Sequence, residues 1–190
     1  MAGHRGDAAA VRGFVADPDP TVRAAALGAL ARADDLTVAD VEAGLADGAP
    51  MVRQRATELA ARWPGDGGPR LLPGLDDHDP SVVETAAWAC GERSPAEPGV
   101  VERLALVATG HDDPLCREAA VAALGALGDS AGLPAILTAT TDKPAVRRRA
   151  VLALAPFDGP DVDTALQRAL EDRDWQVRQA AEDLLGRPDD

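Results

Sequence analysis

Pro20-Thr21-Val22-Arg23-Ala24-Ala25-Ala26-Leu27 is a phrase to which this sequence keeps returning. Pro50-Met51-Val52-Arg53 and Pro144-Ala145-Val146-Arg147 repeat its opening. Looser copies sit at Pro80-Ser81-Val82-Val83, Pro114-Leu115-Cys116-Arg117 and Trp175-Gln176-Val177-Arg178. The anchors at 20, 50, 80, 114, 144 and 175 are spaced by 30, 30, 34, 30 and 31 residues. A period in this range marks a stack of small helical units, none of which buries its apolar side alone. Within the phrase, proline stands where the first turn of a helix needs no N–H donor, and Val22, Ala26, Leu27 and Leu30 follow at helical spacing.

Each period reads as two helices, a shorter first one and a second one opened by the phrase. The repeats run over about 5–33, 36–63, 66–91, 98–127, 130–156 and 160–187, forming one solenoid domain over 5–187. The first helix spans about Asp7 to Ala16, with Val11, Phe14 and Val15 on its apolar side. Thr37, with Asp40 three residues on, is an N-cap for the second repeat. In the third repeat Pro69, Pro73 and Gly74 interrupt the segment around Leu71, Leu72 and Leu75, so a short or distorted helix is expected there. Residues 92–99 are an irregular join that accounts for the single 34-residue spacing, either a hinge or a long surface loop.

Composition narrows the function classes. Tyr is absent, with two Phe and three Trp, so Ala and Leu do the packing, which suits closely spaced helices and disfavours sheet. The net charge of −13 repels nucleic-acid backbones and anionic lipid, and would attract a basic partner. No apolar run approaches the roughly 20 residues that span a bilayer. The amino-terminal residues lack the build of a secretory signal, and Cys90 and Cys116 occupy Leu or Val positions, as buried thiols in a reducing compartment do. A cytoplasmic location follows as an expectation.

A finer regularity crosses the turns. Asp17 precedes Arg23 by six residues, as Asp47 precedes Arg53 and Asp172 precedes Arg178. The acid can pair with the arginine of its own repeat or of the next one, so that stacked copies, with Arg117 and Arg147 included, form a ladder that sets the stagger between repeats. The ladder is expected to lapse where Val83, His111 and Thr141 replace a partner.

The phrase Asp-x-x-Pro-x-Val-Arg-x-x-Ala, met as Asp17, Pro20, Val22, Arg23 and Ala26 and again as Asp47, Pro50, Val52, Arg53 and Ala56, resembles the HEAT repeat. It is closest to the short bacterial form named after the phycobilisome lyases. The resemblance implies an all-α fold, a right-handed α-solenoid of about six HEAT-like helical hairpins, with the second helices lining the concave face. The open positions on that face are expected one, four, five and eight residues after the ladder arginine. The candidate binding residues are Gln54, Glu58, Glu84, Trp88, Glu118, Arg148, Leu152, Gln179 and Asp183. Trp88 stands out, because an aromatic in a polar surround is a common form of binding hot spot.

Catalytic signals are thin. His4, His78 and His111 belong to unrelated turns, and neither a His-Glu-x-x-His spacing nor any His-Glu dipeptide occurs. The acidic turns Asp76-Asp77-His78-Asp79 and His111-Asp112-Asp113 read as helix-capping turns rather than metal sites. No catalytic residue, metal site or cofactor is assigned. The reading is a non-catalytic scaffold or protein-binding module whose partner is another protein with a basic or mixed-charge segment, with neither nucleic acid nor membrane as partner. The alternatives implied by the resemblance are a bilin-lyase-like chromophore attachment factor and an alkylated-base DNA glycosylase. For the second, Glu84 and Trp88 stand four apart on one helix face.

Overall fold

The computed structural model describes residues 10–65 and 67–186. The start of the first helix near Asp7, His4 and the polar residues 187–190 lie outside them. Ten α-helices are found among the described residues, and no strand. Residues 10–12 are helical and run into a 3-10 turn, Gly13–Ala16. Helices α1 (Pro20–Arg32), α2 (Val38–Leu45), α3 (Pro50–Ala61) and α4 (Pro80–Glu92) follow, with a 3-10 turn at Leu72–Asp76 before α4. Then come α5 (Val100–Gly110), α6 (Pro114–Leu127), a 3-10 turn at Ser130–Gly132, α7 (Leu133–Ala139), α8 (Pro144–Ala153), α9 (Pro160–Leu170) and α10 (Trp175–Leu185).

The chain divides into two compact units, 1–97 and 98–190. In the first, α1 packs on α3 and α3 on α4, so the second helices of successive repeats lie side by side, with α2 against α3 and the Leu72–Asp76 turn against α4. In the second, α6 packs on α8 and α8 on α10, while α5, α7 and α9 form the companion layer. Each pair is therefore an antiparallel hairpin whose apolar stripe is covered by its neighbour. Val52, Val82, Val146 and Val177, two residues after the anchor, are almost completely buried.

Local chemistry explains the helix starts. Asp19, Asp79, Asp113 and Asp174 each accept a hydrogen bond from the backbone N–H two residues on, at 2.8–3.0 Å. Proline occupies the first helical position of α1, α3, α4, α6 and α8. At α2, the Thr37 hydroxyl accepts from the Asp40 N–H, and the Asp40 carboxylate accepts from the Thr37 N–H, a reciprocal cap. The first helix of the third repeat is reduced to its 3-10 turn, because Pro69, Pro73 and Gly74 deny it a continuous backbone ladder.

The join at residues 92–99 is tied down at its start. Arg93 Nη1 donates to the Pro69 carbonyl at 2.7 Å and Nη2 to the Ala60 carbonyl, while Glu97 Oε1 accepts from the Leu71 N–H at 2.6 Å. The two side chains also pair at 3.4 Å and are nearly buried. Cys90 and Cys116 are buried and outside any disulfide. Burial pushes the Cys90 thiol up to about 12, with the Glu97 charge adding to it and Arg93 opposing.

Candidate protein-binding face and the arginine ladder

Four rungs of one geometry recur. Arg23 grips Asp47 through Nε and Nη2, both at 2.7 Å, and Arg53 grips Asp77 likewise at 2.7 Å. Arg117 holds Asp142 at 2.6 and 2.8 Å, and Arg147 holds Asp172 at 2.8 and 2.7 Å. In every rung the carboxylate comes from the turn of the following repeat, so each acid pairs with the arginine of the preceding repeat and not, as the spacing suggests, with that of its own or the next one. The third nitrogen, Nη1, reaches back into the arginine's own turn and donates to the carbonyls of Asp17, Asp47, His111 and Asp142 at 2.7–2.9 Å. Each guanidinium thus fastens its own interhelix turn and the next one at once, and its planar fork matches the carboxylate bidentately.

The acids are shaped by the same contacts. The Arg23 guanidinium holds the Asp47 carboxyl below its usual range, as Arg117 does for Asp142 and Arg147 for Asp172. For Asp77, burial pushes the other way, but Arg53 and the Asp79 N–H together still leave it lowered. The six-residue spacing located the arginines but misplaced two acids. Asp77 is a rung partner rather than only a member of an acidic turn, and Thr141 is no gap, because Asp142, one residue on, takes the role. Val83 and His111 carry neither a guanidinium nor a carboxylate, although the His111 carbonyl still accepts from Arg117.

Along the second helices, the positions four residues after the arginine are covered, except for Glu182 on α10, which is exposed. Leu27, Ala87, Val121 and Val151 are buried there, and so is Thr57, because second helices packed side by side cover that flank. What remains outward are the positions one and five after. In the first unit, Gln54 Nε2 donates to the Ser81 carbonyl at 3.1 Å and stitches α3 to α4. Glu58 pairs with Arg55 at 2.7 Å, and the Arg55 guanidinium lies over Gly28, where an added Cβ would fall 2.6 Å from Nη2. Glu84 is exposed and has no partner among the described residues. Trp88, one turn further along α4, is 37% exposed although its neighbours Ala87 and Ala89 are buried.

The remaining candidates belong to the second unit. Glu118 is within 3.5 Å of Arg149, an ion pair that periodicity alone does not announce. Arg148 is half-buried on α8, and Leu152, four residues later, is exposed. On α10, Gln179 Nε2 donates to Asp183 at 2.8 Å, both exposed. Exposed apolar residues that the stripe did not single out are Met51, Leu106, Leu115 and Trp175. A polar cleft of about 360 Å³ between α7, α9 and α10 is bridged by Arg168, whose Nη2 donates to Thr140 at 2.5 Å.

The acidic turns are occupied by these duties: Asp77 takes Arg53, and Asp79 and Asp113 cap α4 and α6. No cluster of three metal-ligating side chains occurs among the described residues, and no helix among them is long and apolar enough to cross a membrane.

Paired helices stacked through a repeated Asp–Arg rung define a helical-repeat protein. The family model for HEAT repeats matches residues 68–145 and 101–186, and the chain belongs to that family. No curated protein matches the chain. Two solved structures share the fold. An engineered protein from the Northeast Structural Genomics Consortium is 19% identical, with 95% of each chain covered and a TM-score of 0.64. A designed armadillo repeat protein is 15% identical, with 93% of this chain and 97% of that chain covered and a TM-score of 0.60.

Proposed function

We propose that this is a non-catalytic protein-binding module, and that its partner docks on the second-helix face of the first unit around Trp88. The observation that carries the reading is the pairing of an exposed indole with a carboxylate that nothing neutralises, Glu84, on a helix held rigidly by its neighbours. Tryptophan gives a large contact area at small entropic cost, and a rigid backbone avoids the cost of ordering a loop. Because Arg55 already occupies Glu58, the acidity beside Trp88 is that of Glu84 and Glu92, one helical turn to either side on the same helix. The fitting ligand is a peptide segment with an apolar side chain for Trp88 and a lysine or arginine one turn away for Glu84. On the second unit, Arg148 beside exposed Leu152 offers a separate patch of opposite sign.

The test is selection from a random peptide library on the intact chain, followed by affinities for Trp88→Ala and Glu84→Gln. Enriched peptides should share a basic residue near an apolar one. Trp88→Ala should weaken them at least about tenfold, and Glu84→Gln should flatten their salt dependence. Peptides that are acidic, or that bind Trp88→Ala as well as wild type, overturn the reading. A coloured adduct with a bilin, or release of an alkylated base from DNA, would replace the class of function.

A further inference from the structure

The exposed surface of α4 is a single row. Of its 13 residues only Pro80, Glu84, Trp88 and Glu92 are exposed, each four residues after the last. At about 1.5 Å of rise per residue, Glu84 and Glu92 sit about 6 Å along the axis to either side of the indole. Neither carboxylate is neutralised among the described residues. The cations close in sequence are engaged elsewhere: Arg55 pairs with Glu58, and Arg93 reaches the carbonyls of Pro69 and Ala60. Arg62, exposed at the end of α3, forms no ion pair with either glutamate.

The side-chain donors beside this row are directed inward. Gln54 Nε2 and the Thr85 hydroxyl both donate to the Ser81 carbonyl, at 3.1 and 2.8 Å, and the Ser81 hydroxyl donates to Asp79 at 2.6 Å. An extended peptide laid along α4 brings a line of unpaired backbone carbonyls, and the row meets them with carboxylates and one indole N–H. A helix pairs its own backbone and arrives without that need. A row of side chains four residues apart also forms a ridge that fits the groove between like rows on another helix.

We propose, with Trp88 taken as the docking point as above, that the segment docking there is an amphipathic helix. It carries an apolar residue with a lysine or arginine four positions before it and another four positions after. Its step of about 6 Å per four residues is that of α4 itself, so both cations meet their glutamates while the apolar side chain covers the indole. The basic–apolar–basic order reads the same in both directions, so either orientation of the partner helix satisfies it.

The probe is an alanine-based peptide of about 18 residues, long enough to be helical, with Lys, Leu and Lys at four-residue spacing. A comparison peptide has its lysines two positions from the leucine with proline between, which removes the helix and turns all three to one side of an extended chain. Binding to the intact chain is followed by the indole N–H resonance of Trp88, identified by its loss in Trp88→Phe. The helical peptide should move that resonance saturably and more than that of Trp175. The extended peptide, which misplaces both cations, should bind at least about tenfold more weakly. Glu92→Gln should weaken the helical peptide about two- to fivefold, as should Glu84→Gln. Glu42→Gln, the same loss of charge at an exposed site on α2, should leave it unchanged. A helical peptide that leaves the Trp88 resonance unmoved up to millimolar concentration, an extended peptide that binds as tightly, or a Glu92→Gln chain that matches wild type overturns the helical partner. Trp88 remains the docking point in each of those cases if library-selected peptides still move its resonance; if they do not, both readings fall.

Discussion

At the scale of the residue, the rung arginines are the most costly side chains to remove. The Arg53 side chain is about as buried as that of its partner Asp77, at 8% and 10% exposure. Arg53→Ala strands that carboxylate and frees the carbonyls of Asp47 and Gly48. The expected loss is about 2–3 kcal/mol of unfolding free energy. Arg32→Ala, an exposed residue in the last turn of α1, is expected to stay within about 0.5 kcal/mol. Urea midpoints compare the two. Arg93, although it follows the end of α4, is not a neutral position, because it is nearly buried between the Ala60 and Pro69 carbonyls. The rungs also impose a pH dependence. The carboxyls of Asp47, Asp77, Asp142 and Asp172 are lowered in the folded state, so their contribution is complete above the unfolded value of roughly 4 and is lost as pH falls through the lower folded values. The urea midpoint should therefore drop between about pH 5 and about pH 2. Arg147→Gln, which removes the main cause of the Asp172 shift, should make that drop smaller.

At the scale of the element, close approach between second helices sets what each position tolerates. A Cβ on Gly125 of α6 would lie 2.7 Å from the Ala153 Cβ and 2.8 Å from its Cα, so α6 and α8 meet almost backbone to backbone. Gly125→Ala is expected to cost about 1–3 kcal/mol despite the better helix propensity of alanine. Gly110, the last residue of α5, has open space where its Cβ would be, and Gly110→Ala should be neutral or stabilising by up to about 1 kcal/mol. Thermal midpoints of the two variants should move in opposite directions or differ by several degrees. The helices themselves were readable from the sequence because proline, capping acid and apolar spacing agree at each start. The face they present was readable only in part. A stripe analysis treats one helix at a time, whereas Leu27, Thr57 and Ala87 are buried by the helix alongside. The partner of each arginine was hidden for a related reason: the acids 6 residues behind Arg53 and 24 ahead of it are both within reach of one guanidinium, and only the stacking separates them. Asp142 escaped because its turn is one residue shorter.

At the scale of the molecule, the ladder chemistry is present twice in each unit and absent at Val83 and His111, on either side of residue 97. In repeat proteins stability is a sum of local and nearest-neighbour contributions, so a lesion acts mainly on its own surroundings. A lesion in one unit is therefore expected to loosen that unit more than the other. The repeat architecture and its period were legible from spacing alone, because the anchor phrase recurs six times. The irregular join at 92–99, with its 34-residue spacing, lies where the chain divides, but nothing periodic marks the grip of Arg93 and Glu97 on residues 69–71.

The two cysteines turn this into something that can be timed. Each unit holds one buried cysteine outside any disulfide, Cys90 in the first and Cys116 in the second. Cys90 is doubly silenced, by enclosure and by a thiol pushed up to about 12, and it regains an ordinary reactivity only when its surroundings open. Alkylation then runs as two independent clocks within one molecule, read by mass spectrometry of the two cysteine peptides. Arg53→Ala should quicken the Cys90 clock more than the Cys116 clock, and Arg147→Ala should do the reverse. Equal acceleration of both clocks by either variant would mean that the protein opens as one piece.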